Sequence, residues 1–190
     1  INPKESDFSW DINNLTALKF GYYDKPDLGT PIEDILDEYG KAIKGSFRGD
    51  RIDLEWGELD DYDQDEDSFY YRSIREMELA FKKEGDRYYL QNISYSGDYR
   101  KAKVAYMPSD YYDKLKVGDP KTGKGGVSYK EVIGDNAVLY LTMSAGEDIE
   151  TDEVITKMRI QFNSSGSDEY KLTFVKQADG DFLLAKKGAD

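Results

Sequence analysis

A glycine-rich stretch in the second half of the chain comes closest to a known chemical motif. Gly118-Asp119-Pro120-Lys121-Thr122-Gly123-Lys124-Gly125 nearly matches the phosphate-binding P-loop. In that motif a Ser or Thr follows the Gly-Lys pair and binds magnesium, but Gly125 stands there. The stretch also follows a predicted helix rather than a buried strand. The sequence therefore predicts a glycine-rich connection and no nucleotide binding.

An acidic run, Asp60-Asp61-Tyr62-Asp63-Gln64-Asp65-Glu66-Asp67, could bind calcium through its carboxylate oxygens. Counted from Asp61, an EF-hand loop needs Gly at its sixth position and Glu at its twelfth, where Glu66 and Arg72 stand. The other interpretation is a solvated connection that keeps a strand edge soluble. We predict no metal site, while an ion at this run stays an open question.

Two missing residue types exclude much of catalytic chemistry. The chain has no Cys and no His, so thiolate nucleophiles, Ser-His-Asp triads and ordinary structural zinc sites are excluded. Its 39 acidic side chains could act as acid–base pairs, but no spacing singles out a pair. The sequence therefore predicts no catalytic residue and no cofactor, with a carboxylate-dependent hydrolase as the enzymatic alternative.

The net charge of −13 determines which partners the surface disfavours. Such a surface repels nucleic acid backbones and anionic lipids, so we expect no nucleic acid partner. No apolar run is long enough to span a membrane. We expect membrane contact only through a lipid anchor upstream of Ile1. The 16 Tyr and 8 Phe indicate a folded chain.

The elements that position these residues follow a pattern that occurs twice. Gly118 follows Gly21 by 97 residues, and Gly126 follows Gly29 by the same interval. The first half predicts helices over 6–18 and from an N-cap at Thr30 to Gly40, then strands over 51–56, 68–83 and 87–95. The second half predicts a helix from Pro108-Ser109, a helix capped by Ser128 and Glu131, and strands over 137–144, 153–163, 169–176 and 181–187.

This pattern predicts an α+β fold of two tandem units, each a helix–loop–helix followed by an antiparallel β-meander. We expect unit 1 over 1–97, a connector over 98–107 and unit 2 over 108–190. The connector has no Pro/Ser-rich spacer, so we expect both units to share one curved sheet with the helices on one face.

The repeated string resembles a known family. It reads Leu15…Leu18-Lys19-Phe20-Gly21…Ile32…Ile35 in unit 1 and Tyr112…Leu115-Lys116-Val117-Gly118…Tyr129…Val132 in unit 2. It is similar to the tandem repeat of β-lactamase-inhibitor-protein-like proteins and to the single unit of small outer-membrane assembly lipoproteins. The resemblance implies a shared curved sheet and a non-enzymatic function. The chain departs from the family by seven inserted residues in each glycine loop and by lacking the repeat cysteines.

Strand alternation assigns the side chains to two faces of the sheet. The predicted helix-covered face carries Ile52, Leu54, Trp56, Met77, Leu79, Phe81, Leu139, Leu141, Met158, Ile160, Phe162, Leu172 and Phe174. The predicted partner-binding face is acidic in unit 1, with Asp53, Glu55, Glu76 and Glu78. In unit 2 it is basic and polar, with Tyr140, Thr142, Lys157, Arg159, Gln161, Lys171 and Thr173.

We therefore expect a non-enzymatic protein-binding module, extracellular or on the surface of a bacterial cell envelope, as a mature or trimmed chain. The alternatives are a structural envelope lipoprotein with a permanent partner and the carboxylate-dependent hydrolase.

Overall fold

The computed structural model of the protein describes residues 11–59, 73–166 and 169–188. These ranges form an α+β fold, as predicted. The strands are β1 (Lys44–Arg48), β2 (Arg51–Leu59), β3 (Ser73–Glu84), β4 (Arg87–Ser96), β5 (Tyr140–Glu147), β6 (Val154–Asn163), β7 (Glu169–Lys176) and β8 (Phe182–Lys187). The helices are α1 (Ile12–Leu15), α2 (Ile32–Tyr39), α3 (Tyr99–Ala102), α4 (Ser109–Lys114) and α5 (Tyr129–Asp135), with a 3-10 helix at Pro26–Leu28.

All eight strands belong to one antiparallel sheet, in the order of the sequence. The two halves of the chain meet where β4 pairs with β5, from Asn92 opposite Ser144 to Ser96 opposite Tyr140. The two halves therefore share a single sheet, as predicted.

Besides the 3-10 helix, one strand and one helix were not predicted. The edge strand β1, Lys44–Arg48, reads Lys-Gly-Ser-Phe-Arg, has no apolar alternation and is exposed along its whole length. Helix α3 forms within the predicted connector, where Asp98 caps it and Ala102 is buried. Local sequence patterns miss both elements, because each contacts residues from another part of the chain. Strand β1 pairs with β2, and Ala102 O of α3 accepts a hydrogen bond from Asn163.

The bounds of helices α1 and α2 differ from the prediction. Thr30 does not cap α2, because its Oγ1 accepts a hydrogen bond from the distant Lys19 N–H at 2.9 Å. Pro31 is the N-cap instead, and Gly40 ends the helix as predicted. Helix α1 begins after its cap Asp11 and ends at Leu15 rather than at residue 18. The earlier part of that predicted helix, residues 6–10, lies outside the described residues.

One buried cluster runs through both halves of the chain. It joins Ile35 of α2 and Val132 of α5 to strand residues such as Leu79 and Ile160. Of the residues predicted for the covered face, Ile52 and Leu54 are half-buried at its margin, and Leu139 is half-buried just ahead of β5. The rest are buried. The sheet therefore has one side that faces a continuous core.

Among the described residues, no helix combines the length and apolarity needed to cross a lipid bilayer.

Candidate functional site

The residues predicted to bind a partner lie on the side of the sheet that faces away from the core, which we call the open face. Strand register places many of them in one row across the sheet. From β1 to β8 this row is Lys44, Glu55, Glu78, Ser94, Thr142, Arg159, Thr173 and Lys186. Charge along the row changes from acidic at β2 and β3 to basic at β6 and β8.

The acidic half of the open face carries the carboxylates Asp53, Glu55, Glu76 and Glu78, and the register also places the cations Lys44, Arg51 and Lys82 on it. Glu55 and Glu78 are direct register partners. Partial burial, followed by the neighbouring Glu76 and Glu78 carboxylates, raises the pKa of Glu55 above its ordinary value, although Lys44 opposes this. Asp53, Glu55 and Glu78 also line a small depression of about 160 Å³. The sheet thus brings like charges close together here.

The basic half carries Lys157, Arg159, Lys171 and Lys186, with the exposed Glu169 at the start of β7. A depression of about 330 Å³ lies on this half. Six predicted site residues line it: Tyr140, Thr142, Arg159, Gln161, Lys171 and Thr173. No Asp or Glu is among its lining residues.

Thr173 departs from the prediction, because it is only 8% exposed although it faces the open side. Its register partners, Arg159 and Lys186, both have long side chains that flank it. Thr173 therefore forms the floor of the depression rather than a projecting contact.

The two halves are separated by a neutral strip on β4 and β5, made of Asn92, Ser94, Ser96, Thr142 and Ser144. Glu78 on β3 and Arg159 on β6 lie three strand spacings apart, or roughly 14 Å. This distance exceeds a typical Debye length at physiological salt, so the two groups do not neutralise each other directly.

Sequence reasoning missed Lys186 as a member of this face. Alternation from the buried Phe182 and Leu184 would turn Lys186 towards the core. A β-bulge shifts the register, so that Phe174 pairs with Leu184 but Thr173 pairs with Lys186. The bulge turns Lys186 to the open face, and alternation alone gives no signal for it.

Most backbone amides of the glycine-rich stretch already donate hydrogen bonds, unlike those that a P-loop presents to phosphate. Its N–H groups donate hydrogen bonds within the protein, at Gly118, Asp119, Lys121, Thr122, Gly123, Lys124 and Gly126. The Asp119 carboxylate accepts two of them, and these bonds from Thr122 and Lys121 lower the pKa of this group. The stretch is a self-bonded loop after α4, not a strand-to-helix turn.

This loop reaches the open face at the end of β8. A Cβ atom on Gly123 would lie 2.6 Å from the carbonyl oxygen and 3.4 Å from the Cβ of Leu183. Leu183 lies between the core-facing Phe182 and Leu184, so its side chain points to the open side. Its register partner Val175 is only 5% exposed. The loop therefore covers this corner of a face that the sequence predicted to be open.

The first glycine loop makes the same backbone hydrogen bonds to β4 that the second makes to β8. Gly21 N–H donates to Leu90 O at 2.8 Å, and Leu90 N–H donates to Thr30 O at 2.9 Å. In the second loop Gly118 donates to Leu184 O at 2.8 Å, and Leu184 donates to Val127 O at 2.9 Å. Each loop also lies beside a β-bulge, with the extra residue at Gln91 in β4, opposite Ala80 and Phe81, and at Ala185 in β8, opposite Thr173 and Phe174.

A larger cleft of about 550 Å³ lies elsewhere, lined by α1, α3 and the ends of β3 and β4. Its charges are paired, with Arg75 Nε 2.8 Å from Glu58 and Arg100 Nη2 3.2 Å from Asp98. Burial raises the pKa of Tyr95 there, although Arg75 opposes the shift. Two ion pairs thus lie in the lining of this cleft.

The acidic run at 60–67, with its candidate calcium site, lies outside the described residues. Within the described ranges, no three acidic side chains are grouped as metal ligands.

A scan of the sequence against protein-family models found no match, and searches of curated proteins and of solved structures also found none.

Proposed function

We propose that this chain is a non-enzymatic protein-binding module whose contact surface is the open face of the sheet. The observation that carries the proposal is the division of this face into an acidic and a basic half on one rigid sheet. A polarised surface steers and orients a charged partner more than it adds affinity. The module thus fits a protein partner with complementary charges.

The proposal includes two tandem units, each contributing four strands. The matching loop hydrogen bonds and bulges support it, because Leu90 and Leu184 occupy the same place relative to their loops. We assign unit 1 to 1–97, the connector to 98–107 and unit 2 to 108–190. In each unit the helices cover the core side and leave the other side open.

Two pairs of corresponding sheet positions carry opposite charges, whereas Arg51 and Lys157, and likewise Glu76 and Glu169, carry the same charge. Ala80 and Thr173 correspond, because each lies directly before the register shift in its unit. Asp53 of β2 pairs with Ala80, and Arg159 of β6 pairs with Thr173, so Asp53 corresponds to Arg159. By the same register Glu78 corresponds to Lys171.

The glycine loops continue the reversal, since the repeat interval matches Asp24 with Lys121 and Asp27 with Lys124. Opposite charges at corresponding positions thus occur in both the sheet and the loops. This favours a binding surface over an ordinary solvated face.

The compartment and the family are part of the same proposal. The eight-stranded meander and the repeated loop string resemble β-lactamase-inhibitor-protein-like proteins. We assign the module to the outside of a bacterial cell, at the envelope or secreted.

The proposal is tested by capturing partners from envelope and secreted protein extracts on the immobilised chain, followed by association kinetics. Replacing Lys157 and Arg159 by Glu should slow association and weaken its salt dependence, with folding intact. The matched control replaces Lys116 and Lys130 by Glu, since both are exposed and outside the face. Equal association rates for both variants would move the binding site to the loops or the helices.

A carboxylate-dependent hydrolase is the second candidate, because Glu55 combines a raised pKa with neighbouring carboxylates. Glycan turnover that Glu55→Gln abolishes would favour this function. A structural envelope lipoprotein would instead co-purify with its partner at all times.

A further inference from the structure

Strand β1 lies at one edge of the sheet, and among the described residues only β2 pairs with it. The strand at the other edge, β8, is covered by the glycine-rich stretch, because Gly118 N–H donates to Leu184 O and Leu184 N–H donates to Val127 O. Within the described ranges β1 has no matching cover, and all five of its residues are exposed. Its outer edge is therefore open to pairing with another chain.

The backbone groups that face this edge follow from the register. Asp50 O, just ahead of β2, accepts a hydrogen bond from Lys83 N–H of β3 at 2.8 Å. Successive residues of an antiparallel strand direct their backbone groups alternately to the two neighbouring strands, so the odd-numbered residues of β2 face β1. They pair with the even-numbered residues of β1. Gly45 and Phe47 therefore direct their N–H and C=O groups outwards.

The core side of β1 offers apolar contact to an added strand. Phe47 pairs with Ile52 and lies on this side, where it is 69% exposed. Its ring makes an edge-to-face contact with Tyr88 at a centroid distance of 6.3 Å. Gly45 has no side chain, and its register partner Leu54 is only half-buried. An apolar side chain of an added strand thus has room beside Phe47 and against Leu54.

The other side of β1 carries positive charge. Arg48 pairs with Arg51, which in turn pairs with Lys82, so three cations follow one another across β1, β2 and β3. Lys44 lies four residues before Arg48 on the same side of the strand. Like charges directly opposite each other are destabilising, whereas opposite charges are favourable. A second copy paired antiparallel about Ser46 would place Arg48 against Lys44, so the charges favour an acidic strand instead.

The proposed tandem units provide a comparison for this edge. In unit 2 the first strand is β5, and β4 pairs with the edge that corresponds to the free edge of β1. The open-face residues of β5 along this pairing are the neutral Tyr140, Thr142 and Ser144. Strand β1 carries Lys44 and Arg48 on the same side of the sheet. The edge that is filled within the chain is therefore neutral, and the edge that is free is basic.

We propose that the free edge of β1 binds an extended segment of a partner protein as an additional antiparallel strand. The segment carries Asp or Glu opposite Lys44 and Arg48, and apolar residues opposite Gly45 and Phe47. Main-chain hydrogen bonds supply the affinity and the alternating side chains supply the selectivity. The cations also discourage pairing with strands that lack carboxylates. This edge is a contact surface beyond the proposed open-face site and does not depend on it.

The test uses a fluorescent peptide, Ser-Glu-Val-Thr-Val-Glu-Ser, whose Kd for the intact chain is measured by fluorescence anisotropy. In the proposed register the N–H groups of both Val residues donate to β1, while the N–H of Thr points away. We expect N-methylation of both Val residues to abolish binding and N-methylation of Thr to preserve it. Equal effects of the two modifications would overturn the proposal, as would absence of binding by the unmodified peptide.

A charge reversal in β1 tests the selectivity. Arg48→Glu should weaken the Kd of the peptide roughly fivefold, because an attraction becomes a repulsion. Lys130→Glu is the control, since it changes the net charge equally at an exposed residue of α5. It should bind the peptide as the wild-type chain does. Equal weakening in both variants would overturn the proposal, because the peptide would then respond only to net charge.

Two further measurements separate this edge from other binding modes. Replacing Lys157 and Arg159 by Glu should leave the Kd of the peptide unchanged, and loss of binding in that variant would place the peptide on the open face instead. Phe47→Pro removes an outward N–H without removing a hydrogen bond to β2. Sedimentation of the peptide-free chain should show no association through β1. A dimer that Phe47→Pro dissociates would overturn the proposal, because a second copy would then occupy the edge.

Discussion

Gly29 and Gly126 lie where a single methyl group would collide with a strand carbonyl. A Cβ atom would be 2.0 Å from Leu90 O at Gly29 and 2.1 Å from Leu184 O at Gly126. We expect Gly29→Ala and Gly126→Ala each to lower the free energy of unfolding by about 1–3 kcal/mol, because the backbone must shift. Urea unfolding followed by circular dichroism measures the change.

Gly134 is the control, because a Cβ there would meet no atom within 4 Å and it lies inside α5. Gly134→Ala should raise stability by about 0.5–1 kcal/mol, as Ala favours helix over Gly. Destabilisation by this change, or tolerance of Ala at Gly29 and Gly126, would contradict the described loop packing.

Glu55 is expected to make the fold less stable as the pH rises. Partial burial and then the nearby Glu76 raise the pKa of Glu55 in the folded state. Such a group contributes stability that is fully present below its unfolded pKa, and that is lost as the pH rises through the folded value. Glu55→Gln should therefore be more stable than the wild type at neutral pH and less dependent on pH. Urea midpoints between about pH 4 and 7 test this, with the exposed Glu153→Gln as control.

At the scale of elements, α2 and α5 should each depend on one buried aliphatic residue. Ile35 is 1% exposed and Val132 is fully buried. We expect Ile35→Ala and Val132→Ala each to destabilise the protein by roughly 1–3 kcal/mol, because methyl groups are removed from a closed core. The exposed Ile149→Ala and Val104→Ala should leave the urea midpoint unchanged. Negligible shifts in all four variants would show that the helices do not pack as described.

Sequence reasoning works for elements whose pattern is local. Strand β7 has the predicted bounds, because its apolar residues and turn signals lie in the segment itself. Ser128 was also correctly predicted as a cap, and its Oγ accepts from Lys130 N at 3.3 Å.

Features that depend on distant partners were missed. The Thr30 hydroxyl is used by Lys19, β1 exists only because β2 pairs with it, and the bulge in β8 turns Lys186 outward. The candidate face was therefore predictable in its charge pattern, but the covering of one corner by the glycine loop was not.

At the scale of the whole molecule, the continuous core predicts a single unfolding transition. The buried cluster includes residues of both halves, and Tyr129 Oη of α5 donates to Asn13 Oδ1 of α1 at 3.0 Å. We expect Ile35→Ala and Val132→Ala to shift the same transition with unchanged denaturant slope. Fluorescence and circular dichroism should give coincident curves. Two separate transitions would mean that the halves unfold independently.

The sequential order of the strands also affects how the protein can be synthesised. Every strand pairs with its immediate neighbours in the chain, so each hairpin can close as soon as its second strand leaves the ribosome. The hydrogen bond between Tyr129 and Asn13 is different, because it spans 116 residues. We expect stepwise growth of the sheet during translation, whereas α5 can dock on α1 only after the whole first half of the chain has been made.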